Sequence, residues 1–470
     1  LQDTYTINSE SNGRFHTDWL NMIYSRLKLS KDLLEDDGVI FISIDDYEQE
    51  NLKKIADEIF GENNFVAQLV WQRAFSPKND AKYISNSHDY ILMYAKNIQN
   101  FTIGRLPRTD EANARYSNPD NDPRGLWMSS DLSVKTYNPA TDYPITTPSG
   151  KIIYPPSGRC WRTSKEAFDK LVAENRVYFG EDGNNTPRLK RFLSELKYDG
   201  MAPTSILLFK EVGHSQEGSQ ELTKLLDAGV FDGPKPTRLL KRLLTLSNSK
   251  KDCIVLDFFS GSSSLADATL QINSEDGGNR KFIMVQIPET VDKKSIAYKA
   301  GYKNICEIGK ERIRRAGAKI KEESPLTTAD LDTGFRVLKL DSSNMKDVYY
   351  SPADYDFSLF DNLADNIKED RTAEDLLFQV MLDLGILLSS KIQMMNVELG
   401  NRNYTYFDVA DNFLIACFDN DIDEDVITEI AKKKPYYFVM RDSSMSSDSV
   451  ATNFDQIFAT YSPDTVRKVL

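Results

Sequence analysis

Residues 253–268, CIVLDFFSGSSSLADA, place an acid at the end of an apolar run, two aromatics and a run of small residues where a cofactor could be held. Ile254, Val255, Leu256, Phe258 and Phe259 form a short apolar run cut off at Ser260-Gly261-Ser262-Ser263-Ser264, and the chain resumes as Leu265–Leu270. That pattern reads as strand, tight turn, helix. Small residues let a backbone approach a ligand closely, and a helix start offers unpaired N–H groups. A doubly wound sheet holds a nucleotide-like cofactor at the carboxyl ends of its strands in this way. Just upstream, GPKPTRLLKRLLTL (233–246) sets Lys235-Pro236 at the head of an Arg/Lys/Leu helix, where proline fixes the entry of the chain.

The elements that must position these residues follow from periodicity. Thr17–Asp36 is amphipathic, with Thr17 as its expected cap and Trp19, Met22, Ile23, Leu27 and Leu34 close to one face. Gly38 ends it, and Val39–Ile44 is a β-rich strand. Asp45-Asp46 are expected to cap a helix over Tyr47–Phe60, and Phe65–Trp71 and Asp89–Tyr94 are strands. Strand alternating with helix predicts a parallel sheet covered on both faces. From Gln72 to Gly229 the pattern changes to turns and short strands, rich in Pro, Asn, Asp and Gly, with Trp127, Tyr137, Tyr143, Tyr154 and Trp161 interleaved. After the central turn come a strand at Arg280–Pro288 and a basic helix at Ile308–Lys319. The final part has a helix at Ala373–Leu388, strand-like runs at Tyr404–Val409, Phe413–Phe418 and Tyr436–Met440, and no chemical motif.

Composition narrows the function classes. A hydrophobic content of 40% and a charged content of 27% are those of a globular protein. No run approaches the roughly 18 apolar residues of a membrane span. Cys160, Cys253, Cys306 and Cys417 are scattered, which indicates neither a disulfide framework nor a zinc site and fits a reducing cytoplasm. Only His16, His88 and His214 are available, so no metal site is expected. The net charge of −13 is unevenly spread: residues 322–470 hold 28 acidic and 13 basic side chains, the other 321 residues 43 and 45. The acidity belongs to the C-terminal part, and the near-neutral remainder leaves room for a basic face toward phosphates.

Lys235-Pro236, a short polar loop, then Asp257-x-Phe259-x-Gly261 resemble two consecutive motifs of β-class DNA amino-methyltransferases. Asp18–Leu29, Gly38–Asp46, Phe75–Lys82, Gly125–Trp127, Pro155–Trp161, Glu211–Gln216 and Arg336–Leu340 resemble the modification subunit of type III restriction–modification systems, over nearly the entire chain. The resemblance implies an α/β fold: a Rossmann-like class I methyltransferase sheet in circularly permuted motif order, with an inserted target-recognition domain and a C-terminal α+β domain. Its expected divisions are 1–71 and 230–322 for the core, 72–229 for target recognition, and 323–470 for dimer or restriction-subunit contact. The expected activity is methyl transfer from S-adenosylmethionine to N6 of adenine in double-stranded DNA. The expected partners are DNA, a second copy and a type III restriction subunit.

The same resemblance assigns cofactor binding to Lys235, Pro236, Leu239, Asp257, Phe258, Phe259, Gly261 and Ser263. Gln286 stands where the family has an acid that grips the ribose hydroxyls. The family turn usually continues Gly-x-Gly or Gly-x-Ala and then Thr; here Ser263, Ser264 and Leu265 stand in those places, and Ser263 is strained if its position needs positive φ. Arg105, Arg108, Lys135, Lys151, Arg159, Arg162 and Arg188-x-Lys190-Arg191 are candidate phosphate contacts, and the nearby aromatics candidate stacking partners for an extruded base. The Asp/Asn-Pro-Pro-aromatic tetrapeptide that does the chemistry in these enzymes is absent. Tyr154-Pro-Pro-Ser157 lacks both flanks, and the β-class order places the tetrapeptide upstream of Leu1. Two alternatives stand beside this reading: a catalytically dead relic that binds only DNA and partners, and a nicotinamide-dependent oxidoreductase. The latter requires Gly-x-Gly-x-x-Gly after the first strand, which is missing.

Overall fold

The computed structural model describes residues 16–77, 79, 81–346, 366–399, 402–445 and 448–470. The chain divides into two compact units, one ending at Phe335 and the other running from Arg336.

In the first unit, α1 (Thr17–Leu33), β1 (Val39–Ile44), α2 (Gln49–Phe60), β2 (Phe65–Gln72) and β3 (His88–Ala95) follow in order. His16, not Thr17, is the N-cap residue of α1, and Asp45-Asp46 lie in a turn ahead of α2, which begins after Glu48. The sheet is mixed, not parallel. Its order is β1-β3-β2 followed by β7 (Ile206–Leu207), with β3 antiparallel to both neighbours and only β7 parallel to β2. The physical reason is the connection: β2 and β3 are joined by a loop and not by a crossover helix, so the chain returns and inserts β3 between β1 and β2. Alternation along β3 serves both faces. Leu92 and Tyr94 meet Leu27 of α1 and Leu52, Ala56 and Phe60 of α2. Ile91 meets Leu69, Trp71 and the Leu239, Leu243 and Leu246 stripe of α5 (Thr237–Ser247).

Residues between β3 and β7 build a small separate sheet, β4 (Trp127–Asp131), β6 (Arg188–Phe192) and β5 (Val177–Tyr178) in the order β4-β6-β5, with helix α3 (Lys165–Ala173) between β4 and β5 in the chain. Its centre is ionic. Lys190, fully buried on β6, pairs with Asp120 and, at 3.0 Å, with the buried Asp122, which Arg124 also grips at 2.7 Å. Trp127 and Trp161 are buried as well. These three side chains, expected at a DNA surface, are therefore core, whereas Arg188, Arg191, Lys151, Tyr137 and Tyr154 are exposed.

Helix α4 (Ser215–Leu225) leads to α5, then β8 (Ile254–Asp257), α6 (Ser264–Asp276), β9 (Lys281–Met284) and α7 (Ile305–Glu323). β8 and β9 pair in parallel, Ile254 opposite Lys281 through Asp257 opposite Met284. One face of this pair is covered: Phe282 and Met284 pack with Ala266 and Leu270 of α6 and Ile313 of α7. The other face is open, with Ile254, Ile283, Val285 and Ile287 each about half exposed or more. Among the described residues β8 pairs on one edge only, and so does β1.

The second unit is α/β. Its sheet runs β10 (Ile392–Leu399), β11 (Arg402–Val409), β12 (Leu414–Cys417), β13 (Tyr437–Met440) and β14 (Val466–Val469) in sequence order. Helices α9 (Glu424–Lys432) and α10 (Asp448–Tyr461) pack on one face and α8 (Ala373–Asp383) on the other. Among the described residues of both units, no helix is long and apolar enough to cross a membrane.

Removing one partner from a buried ion cluster leaves the others uncompensated. Lys190→Ala is expected to destabilise the first unit by about 3–5 kcal/mol, read in urea unfolding, while leaving the salt dependence of any DNA binding unchanged. Arg188→Ala is expected to do the reverse.

Candidate functional site

The bend after β8 is held from several sides. Gly261 (φ 52°) and Ser263 (φ 58°) both adopt left-handed backbone, so Ser263 carries the strain that its place in the sequence predicts for a residue with a Cβ. The bend compensates locally: Ser263 N–H donates to Ser260 O at 2.8 Å, and the two hydroxyls lie 3.0 Å apart. Gly261 N–H donates to Gln286 Oε1 at 2.7 Å. The carbonyl oxygen of Gln286 is thereby committed to shaping the turn, and its Nε2 donates to Ile287 O at 3.2 Å.

Asp257 closes β8. Its carboxylate accepts the Phe259 N–H at 3.0 Å, and among the described residues it pairs with no Lys or Arg. Burial pushes its pKa above the ordinary carboxylate value, opposed only by that N–H bond. Phe258 and Phe259 stand beside it with ring centroids 5.3 Å apart, Phe259 half exposed.

The stretch 231–237 runs alongside. Phe231 lies so close to Gly261 that a Cβ there would come within 3.1 Å of its ring. At the far end, Pro236 is the N-cap residue of α5 and cannot cap with its own side chain. Glu221 of α4 does so instead, accepting Thr237 N–H at 2.8 Å and Thr237 Oγ1–H at 3.0 Å. Burial raises the pKa of Glu221, and the two bonds from Thr237 oppose that.

Lys235 turns toward the four-stranded sheet. Its Nζ is 4.0 Å from Asp89 Oδ2 at the start of β3 and 5.0 Å from the Trp71 ring at the end of β2. Arg73 Nε is 2.9 Å from the other oxygen of Asp89. Burial lowers the pKa of Lys235 and raises that of Asp89, their mutual attraction opposing both shifts. Trp71 Nε1–H donates to Gly213 O at 2.9 Å, and a Cβ on Gly213 would be 2.9 Å from that of Pro236, which locks the two loops together.

The structure thus gathers Asp257, Phe258, Phe259, Gly261, Ser263 and Gln286 at one bend, with the 231–237 stretch against it through Phe231. Lys235 and Pro236 sit at the sheet end of that stretch. Leu239 is not at the bend: it is fully buried under the sheet with Leu69, Trp71 and Leu207. Phe231, Glu221, Asp89 and Arg73 are contributors that motif reading passes over, since their partners are distant in sequence. Asp89 had a visible signal, an acid opening an otherwise apolar strand.

At the bend an acid that among the described residues pairs with no Lys or Arg stands beside two aromatic rings and a left-handed backbone turn. Comparison with known proteins supplies the class. A family profile described as DNA methylase matches residues 3–293, and the chain belongs to that family. More particularly, it is 39% identical over 347 residues to the Mod subunit of the type III restriction-modification enzyme StyLTI of Salmonella typhimurium, covering 72% of this chain and 52% of that protein. It is 34% identical over 351 residues to the EcoPI Mod subunit of Escherichia phage P1, covering 69% and 53%. With the type II methyltransferase M.KpnI of Klebsiella pneumoniae it shares 30% over 324 residues, covering 63% and 74%. The chain spans about half the length of the two Mod subunits.

The raised pKa of Asp257 sets a pH dependence. A carboxyl whose folded pKa lies above its ordinary 3.8 binds more protons folded than unfolded between the two values. Its contribution to stability is therefore complete below 3.8 and lost as pH rises through the folded value. Asp257→Asn, which keeps an acceptor for Phe259 N–H, is expected to gain stability over the wild type as pH rises through that window, measured by urea unfolding at a series of pH values; parallel profiles would refute this.

Proposed function

We propose that the protein is a cytoplasmic, S-adenosylmethionine-dependent DNA methyltransferase acting on N6 of adenine, as the modification and recognition subunit of a type III restriction–modification system. The observation that carries the reading is the half-buried carboxylate of Asp257, which among the described residues pairs with no Lys or Arg, at a strained bend beside Phe258 and Phe259, in a chain of the DNA methylase family. The residues suit the cofactor: Asp257 for the α-ammonium, the 260–264 turn for the amino-acid moiety, Phe258, Phe259 and Phe231 for the apolar body. When bound, S-adenosylmethionine supplies an electrophilic methyl on a sulfonium. Gln286 acts by holding the Gly261 N–H, and Lys235 by fixing the 231–237 stretch against Asp89 and Trp71. The proposed target-recognition region is the part of 72–229 between β3 and β7 that carries the separate β4-β6-β5 sheet, with exposed Arg188, Arg191 and Lys151 toward phosphates, while β3, β7 and α4, inside the range expected for it, belong to the core. The unit from Arg336 is the proposed contact for a second copy or for a restriction subunit.

The catalytic tetrapeptide is not in this sequence. Among the described residues β8 is unpaired on one edge and the Ile254/Ile283/Val285/Ile287 face is open, whereas parallel strands are ordinarily buried on both faces. The dead-relic alternative drew on the missing start with its tetrapeptide and on the altered 263–265 turn; Ser263 holds the left-handed conformation a glycine would adopt, which answers the second motive.

Removing a charged hydrogen-bond partner costs about 1.5–3 kcal/mol. Asp257→Ala is accordingly expected to weaken S-adenosylmethionine binding by about tenfold or more, measured calorimetrically. The activity itself is tested by transfer of a tritiated methyl group to duplex DNA, using protein expressed from its full reading frame. Label recovered as N6-methyladenine is expected; protein that binds the cofactor yet labels nothing overturns the assignment.

A further inference from the structure

The most deeply buried charge near the bend belongs to a residue that no motif singles out. Arg312 lies on α7 and is fully buried. Its Nε and Nη2 donate to Asp267 Oδ2 at 3.0 and 2.9 Å. Its Nη1 donates to Ser264 Oγ at 2.6 Å and to Ser262 Oγ at 3.2 Å. One guanidinium thus spans the first turn of α6 and both serines that flank Ser263. Asp267 is only 3% exposed, so the ion pair gains nothing from solvent. Helix α7 can come this near because residue 309 is glycine: a Cβ there would stand 2.5 Å from Ser263 Oγ.

A buried ion pair seldom stabilises a fold better than well-packed apolar side chains would, but it does impose direction. Here the direction is specific. The fork geometry of arginine fixes two hydroxyls and one carboxylate at once, which a lysine could not do. The strained Ser263 backbone is held between those two hydroxyls, while Gln286 pins Gly261 from the β9 side.

We propose that Arg312 is a positioning residue for the cofactor site: through Ser262, Ser264 and Asp267 it holds the bend after β8 in the strained form that receives the amino-acid end of the cofactor. It also explains Ser262 and Ser264, whose hydroxyls are the acceptors that connect the turn to α7. The inference rests on the cofactor reading given above and adds to it a residue on a different helix.

The test is calorimetric binding of S-adenosylmethionine to the full chain and its variants, with unfolding of the ligand-free proteins recorded in parallel. The double variant Ser262→Ala/Ser264→Ala keeps the Arg312–Asp267 pair and removes only the link to the turn. It is expected to unfold cooperatively and to bind about tenfold more weakly, the worth of a lost hydrogen bond near the top of the usual range. Ser264→Thr, which keeps a hydroxyl, is expected to retain affinity. Gly309→Ala, which pushes on Ser263 Oγ from outside the network, and Arg312→Lys are expected to weaken binding as the double variant does. A merely structural role would lower the stability of the ligand-free protein and leave the affinity of the folded fraction unaltered. Unchanged affinity in the double variant and in Gly309→Ala overturns the inference alone. A wild-type chain that binds no S-adenosylmethionine overturns the cofactor reading, and this inference with it.

Discussion

The ion pair between Arg312 and Asp267 is the constraint on which the site depends. Both groups have left water, and among the described residues neither makes a second ion pair within 4.0 Å. Desolvating them costs more than a single contact at protein dielectric returns unless every remaining donor is used. The serine hydroxyls on either side of Ser263 take both donors of Nη1. The consequence is geometric: one guanidinium ties α6, α7 and the bend after β8 together, and the left-handed Ser263 is over-determined by its neighbours. Strain of this sort persists only where surrounding contacts enforce it, and such places are disproportionately functional.

The second half of the site is organised by close approach. The 231–237 stretch lies against the bend through Phe231 on Gly261 and against the end of the four-stranded sheet through Lys235, Trp71 and Asp89. Between these anchors, Glu221 satisfies the start of α5 that Pro236 leaves uncapped. Helix α5 then carries the connection into the core, its leucine stripe packed beneath the sheet and its flank along α6. Ionisable groups therefore collect where strand ends leave backbone groups unpaired, the usual location of ligands in open α/β sheets. The pKa displacements of Asp257, Asp89 and Lys235 share one cause, burial at that edge.

What could be read from the sequence is what short-range periodicity encodes. Val39–Ile44, the Leu239/Leu243/Leu246 stripe and the strand–turn–helix over 253–268 appear close to where the pattern places them. Pairing partners distant in the chain were not legible. Nothing in His88–Ala95 announces that it will insert antiparallel between β1 and β2, since that depends on the loop and not on the strand. Lys190, Trp127 and Trp161 carry the residue types of a nucleic-acid surface, yet Asp120 and Asp122, some seventy positions from Lys190, draw its ammonium into a core. Arg312 was hidden for the converse reason: a basic residue in a basic helix. Its register with Ile308, Ile313 and Ala316 on the buried face of α7 is the one signal that sets it apart. Leu239 illustrates a limit of motif reading, because the motif it stands in is legible while its burial beneath the sheet is not.

The central claim is that the 231–237 stretch and the bend after β8 serve one S-adenosylmethionine pocket. Amide hydrogen exchange followed with and without S-adenosylmethionine tests it most directly. The account predicts slowed exchange in both segments, rising together over one ligand concentration range. Protection confined to one segment, or absent from both while ligand is bound elsewhere, would contradict it.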